Sequence, residues 1–229
     1  MTTDELLTLL RLADGLFPAG GFAHSFGLET YVQAGVVRGA ADLAALLRVQ
    51  LEGSAGPMDA VAVACASRFA AAGDVDGCAD LDARLDAAKW VPEFRTASLQ
   101  MGRQTLRVAL ATGPARFLGT LAQALGDAGA TGHHAMWFGA ALGCRGVAAE
   151  AAAAAYLHST AVLVVNAALR LLPMGQIEGQ VVLASAQPLM TELASRAAAA
   201  TVDDLWSFTP GLEIAGLRHA DLGGRLFRS

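Results

Sequence analysis

The sequence predicts an all-α fold: a single-domain bundle of about ten helices followed by an irregular C-terminal tail. Three observations carry that expectation. Apolar residues recur at helical spacing from Asp4 to Ala200, the alternation of a half-buried strand is missing, and no turn signal joins two β-branched runs as a hairpin would require. A length of 229 residues supports one domain, or two at most, with ample core.

Taken in order, the first helix spans Asp4 to Ala13. Its segment, MTTDELLTLLRLADG, is acidic where a signal peptide would be basic, and Arg11 breaks the apolar run. A cytosolic protein is the expectation. The next helix, Phe22 to Ala34, overlaps a stretch that concentrates Pro18, Gly20, Gly21, His24, Ser25, Glu29 and Tyr31 in a chain otherwise dominated by Ala, Leu and Val. Helices from Ala40 to Glu52 and Met58 to Ala72 are separated by Gly56-Pro57, whose proline lacks the N–H a helix needs. The helix Val75 to Lys89 begins in DVDGCADLD, which superficially resembles a calcium loop. Its glycine is misplaced for one and no glutamate closes it, so acid at a helix start explains it better.

Glu93 to Ala111 is the first helix with an unusual face. At about 100° per residue, Arg95, Leu99, Gly102, Leu106 and Ala109 align, with Ser98 at the edge. An arginine there must find a carboxylate or carbonyls. Gly102 in mid-helix costs about 1 kcal/mol relative to Ala, which makes sense where another backbone packs closely. After Gly113-Pro114 come helices Ala115 to Gly126 and His133 to Gly143, then Ala148 to Leu172, ended by Pro173.

Within that last helix, Ala151 to Leu169 has the length of a bilayer span and no charged residue, but it is mostly alanine and holds His158, Ser159, Thr160 and Asn166. The central helix of a soluble bundle fits better than a membrane span. Tyr156, Ser159, Leu163, Asn166 and Arg170 share one face, a polar seam that either lines a wet passage or is spent on interhelical hydrogen bonds. One or two helices fill Gln176 to Ala200, where Gln176 and Gln180 project two amides from one face beside Gly179. From Thr201 to Ser229 the sequence is mixed and glycine-containing, the mark of a non-globular tail.

Composition narrows the function. The chain is 54% hydrophobic and only 16% charged, against roughly 25% charged in an average soluble domain, so much of its surface is Ala, Gly or apolar. Stable partners or self-association follow from that. A net charge of -5, with no Lys/Arg run, argues against nucleic acid. Cys65, Cys78 and Cys144 form no C-x-x-C pair and read as small buried thiols. The Gly20-Gly21 pair is no phosphate loop, because no lysine follows it. Ser25 beside His24 lacks a nucleophile elbow. His133 and His134, being sequential, diverge on a helix, which leaves only weak, transient metal ligation by His24, His134, His219 or a cysteine. No tightly bound cofactor is expected.

Four segments taken together resemble one family. FPAGGFAHSFGLE (Phe17 to Glu29), FRTASLQMGR (Phe94 to Arg103), ALRLLPMGQIEGQ (Ala168 to Gln180) and RHADLGGRLFRS (Arg218 to Ser229) are similar to the motifs of the urease accessory protein UreF family, in order and over nearly the whole chain. The resemblance implies an all-helical, non-enzymatic scaffold that dimerises and binds UreD (UreH). The pair recruits the GTPase UreG, and the assembly delivers nickel to apo-urease. It also implies partner contacts at Pro18, Gly20, Gly21, His24, Ser25, Glu29 and Tyr31, at Arg95, Ser98 and Gly102, and at Arg170, Gly175, Gln176 and Gln180. The tail from Thr201 becomes a partner anchor through Arg225, Leu226 and Phe227, and the polar seam fits an internal nickel passage. Ala220 and Gly223-Gly224 depart from the family's pattern of a glutamate and bulkier residues. The competing expectation is an all-α enzyme or small-ligand pocket using His24, Glu29 and the Gln176 and Gln180 amides.

Overall fold

The computed structural model describes residues 1–113 and 116–229. Among them there are eleven α-helices and no strand. Helix α1, Thr3–Ala13, starts on a capping box in which Thr2 and Glu5 satisfy each other's backbone amides. Then come α2 (Leu28–Gln33), α3 (Ala40–Gln50), α4 (Val61–Ala72), α5 (Val75–Ala88) and α6 (Pro92–Ala111). Asp74 caps α5 through the Gly77 amide at 2.8 Å, so the acids of that segment do begin a helix. Helix α7 is Arg116–Asp127; the expected start at Ala115, and Pro114 of the break before it, lie outside the described residues. The rest are α8 (His134–Gly143), α9 (Ala149–Leu171), α10 (Gln176–Ala199) and α11 (Pro210–His219).

Helices α4 and α9 form the middle of the bundle. Helix α8 is buried along its whole length between α4 and α6, and α10 runs along α9. The approach of α8 to α4 is backbone to backbone, because any Cβ at Gly139 or Gly143 would strike the main chain at Val63 or Ser67. Trp137 and Phe138 of α8 are fully buried. Helix α9 is long and apolar enough to cross a membrane, but 56% of its most apolar window is buried inside this bundle. Cys65 and Cys78 are buried free thiols, and Cys144 is half-buried. Burial pushes the Cys78 thiol up to about 12.

Three expectations need correction. The helix expected over Phe22 to Ala34 is a 3-10 turn at Gly21–Ala23 followed by α2 alone, because Gly20, Phe26 and Gly27 all take positive φ and interrupt the helix. Gly56-Pro57 does not end a helix. Residues Leu51–Ala60 form a wide π-helical turn that links α3 to α4 without a gap, and the freed carbonyls of Gly53 and Pro57 accept from the amides of Phe208 and Trp206. Gln176 to Ala200 holds one helix, within the one or two expected, and the exposed Pro188 sits inside it. The stretch after Ala200 is not wholly irregular: α11 forms within it, starting at Pro210, and lies against α2 and α6. Its last residues fold back on the domain, with Phe227 and Ser229 buried.

Candidate functional site

Two polar constructions stand out, and both are built on the segments that sequence reasoning singled out. The first joins the stretch before α2 to the C-terminal residues. Positive φ at Phe26 and Gly27 turns the chain so that the backbone amides of Ser25 and Phe26 converge on the Ser229 backbone oxygen, which also accepts from the Ser25 hydroxyl at 2.8 Å. A Cβ at Gly27 would press within 3.2 Å of the Leu212 carbonyl, so glycine is needed there for space as well as for conformation. His24 Nδ1 lies 2.8 Å from Ser229 Oγ, and Arg228 donates its amide to the Ala23 carbonyl. Burial lowers the His24 pKa, and the charge of Arg228 adds to the effect.

Glu29 is the hub of this clasp. It is 2% exposed and accepts from the Leu226 amide at 2.7 Å, the Phe227 amide at 3.1 Å and His219 Nε2 at 3.0 Å. Burial alone would raise its pKa. The two amides and the histidine outweigh that and hold it below the ordinary value. The other His219 nitrogen faces Glu93 at 2.9 Å, and Glu93 also takes Arg225 at 3.2 Å. Both nitrogens of the buried His219 ring thus face carboxylates, which join α11 to α2 and α6. Arg170 stacks over the Phe227 ring at 4.3 Å and donates to the Phe22 carbonyl, which ties α9 to both halves.

The second construction is the polar seam of α9, which lines open space. A cavity of about 130 Å³ lies beside Tyr156, Ser159, Thr160 and the Asp59–Lys89 ion pair, and another of about 110 Å³ lies beside Gly21, Phe22, Asn166 and Arg170. Met101, His134, Ser159 and Leu163 border both. Asn166 and Arg170 are exposed, so the second cavity reaches the surface there. His134 Nδ1 is 3.0 Å from Thr105 Oγ1, with the Phe138 and Tyr156 rings at 5.7 and 5.4 Å. Burial drops its pKa to about 4, so it is neutral at pH 7.

The other expected residues separate. Arg95 is exposed at the edge of α6, not on its buried face, and it finds a carboxylate in Asp86 at 2.7 and 3.0 Å. Ser98 bonds the buried His133, which in turn reaches Asp86 and takes an Asp82 oxygen on its amide. Gly102 serves internal packing: a Cβ there would collide with the Gly132 carbonyl and crowd the His134 amide at 3.1 Å. Gly21 is likewise pressed onto Leu163, while Gly20, at φ 89°, faces open space beside the exposed Pro18. Tyr31 is half-buried against Gly211. Gln176 and Gln180 stand exposed on α10 beside Ile177 and Val181, and buried Gly179 faces α9. Sequence reasoning missed Glu93, Asp86, Asp82 and Thr105, whose partners lie far away in the chain and leave no local pattern. Among the described residues, no group of three His, Cys, Asp or Glu side chains is placed to hold a metal ion.

The UreF family model matches residues 37–187 of this chain. The urease accessory protein UreF of Methylorubrum populi is 40% identical over 228 residues, covering 98% of this chain and 99% of that protein. Those of Thermosynechococcus vestitus and Bacillus sp. (strain TB-90) are 34% and 31% identical, each over at least 99% of both chains.

Proposed function

The chain belongs to the UreF family of urease accessory proteins, and on that premise we propose that it serves urease maturation as a non-catalytic scaffold. Together with UreD (UreH) and the GTPase UreG it delivers nickel to the apo-urease active site, and it binds no cofactor tightly. The observation that carries this reading is the polar seam of α9 opening onto two adjoining cavities inside a chain similar to UreF proteins over its full length. Nickel, as cargo, passes along that seam by Asn166, Ser159 and Tyr156.

The surface supports partner binding. Leu7, Leu10, Leu16 and Phe22 are exposed, and Ile177 and Val181 flank Gln176 and Gln180. These faces suit a second copy and UreD. Residues 201–229 remain the proposed UreD anchor, with Arg225 and Leu226 outward and Phe227 inward. Deleting residues 225–229 is therefore expected to lower the melting temperature and to weaken UreD binding together. An enzyme built on His24 and Glu29 is disfavoured, since both Glu29 oxygens and His24 Nδ1 are engaged by the chain's own tail.

Co-expression with UreD and UreG tests the proposal. The three proteins should co-purify, and the assembly should activate apo-urease only when nickel is supplied. Turnover of a small substrate by the isolated chain, or full activation without it, would refute the scaffold reading.

A further inference from the structure

We infer that His134 Nε2 is a ligand for a borderline divalent cation, Ni²⁺ above all, at the point where the two cavities meet. The argument starts from one proton. The Thr105 hydroxyl lies 2.9 Å from the Met101 carbonyl, one turn back on α6, and donates its only hydrogen there. Its oxygen, 3.0 Å from His134 Nδ1, can then only accept. Nδ1 therefore carries the ring proton, and Nε2 holds a lone pair.

Among the described residues that lone pair has no hydrogen-bond partner, although His134 is only 7% exposed. Among the described residues no fully buried side-chain nitrogen or oxygen is left unpartnered, so Nε2 must face open space, and the cavities bordered by His134 supply it. The ring is held at its far nitrogen by Thr105 and flanked by Tyr156 and Phe138, the kind of outer support that fixes a metal-binding histidine. The wall that the two cavities share also holds Ser159, and the first cavity adds Tyr156 and Asp59. Asp59 is paired with Lys89, which limits the charge it offers a cation.

An imidazole nitrogen prefers Ni²⁺, Cu²⁺ or Zn²⁺ to Mg²⁺ or Ca²⁺. One such nitrogen among hydroxyls and water makes a weak, exchanging site that suits a passing ion better than a stored one. The inference rests on the reading of the seam as a nickel route, and its test needs neither UreD, UreG nor urease, so the two fail separately.

The test is histidine NMR on the full chain at pH 7. Long-range ¹H–¹⁵N correlations should show His134 protonated at Nδ1. Added Ni²⁺ should broaden His134 at concentrations where Mg²⁺ does nothing. Thr105→Val should weaken the response about tenfold or more, while Thr105→Ser, which keeps the acceptor, should retain it. An Nε2–H tautomer in the unaltered protein would overturn the inference, as would Ni²⁺ broadening confined to the exposed His158.

Discussion

The tail clasp and the seam of α9 are both polar constructions inside an apolar bundle, yet they spend their polar groups in opposite ways. In the clasp the groups are saturated: Glu29 takes three donors, His219 lies between two carboxylates, and the Ser229 oxygen takes three donors of its own. In the seam, Ser159 and His134 border cavities, and the Ser159 hydroxyl and His134 Nε2 bond no group among the described residues. Saturated buried groups hold a structure together, and their loss leaves partners stranded. Unsaturated groups facing space contribute little to folding and remain available to a ligand. The difference fits architecture for the first region and the proposed transit for the second.

The largest effect is expected at Glu29. Glu29→Ala strands two amides and a histidine in a buried site and should cost about 3–5 kcal/mol in urea unfolding. A loss below about 1 kcal/mol would break the contrast. Acid titration comes next. His134 has a folded pKa of about 4 against an ordinary 6.5, so between those values the unfolded chain binds a proton that the folded state refuses. Stability should therefore fall as pH drops from about 6.5 to about 4, by roughly 3 kcal/mol. His24 and His133, also lowered chiefly by burial, add in the same direction. Glu29, whose pKa is depressed from 4.5, adds a further loss below that pH. Unfolding midpoints followed across pH, with His134→Gln flattening the upper window, check the sign.

Smaller again is Gly102→Ala. Its methyl would be forced onto the Gly132 carbonyl, with an expected cost of about 1–3 kcal/mol that does not depend on protein concentration. A concentration-dependent effect would point to a dimer contact instead. The smallest is Ser159→Ala, expected to change stability by no more than about 0.5 kcal/mol because its hydroxyl bonds nothing among the described residues.

What was legible in the sequence follows the range of the forces involved. Helical periodicity is local, so α1, α3, α5 and α9 came out within a residue or two of their expected bounds, and Leu172-Pro173 ends α9 as expected. The seam was legible for the same reason, since the spacing of Tyr156, Ser159 and Asn166 fixes their common face. Its choice between cavity and hydrogen bonds was not, because that depends on α6 and α8. The turn at Leu51–Ala60 defeated the Gly-Pro signal because the tail at Trp206 and Phe208 caps carbonyls that Pro57 and the widened turn leave free. Arg95 was misplaced by a small rotation of α6, whose buried face centres on Ala97, Met101 and Thr105. The clasp was invisible: Glu29 and Phe227 are 198 positions apart, and no local pattern in the tail signals that its backbone amides at Leu226 and Phe227 meet a carboxylate of α2.

The most direct test of the contrast is to narrow the junction of the two cavities without touching the clasp. Ser159→Leu puts an apolar side chain between Leu163 and His134 in the wall that both cavities share. Nickel-dependent activation of apo-urease would be measured in an assembly containing this protein, UreD and UreG, with Ser159→Ala as the control. The account predicts a folded Ser159→Leu protein that binds UreD normally and loses most of the activation that Ser159→Ala retains. Equal activation by the two variants would contradict it and return the seam to ordinary helix packing.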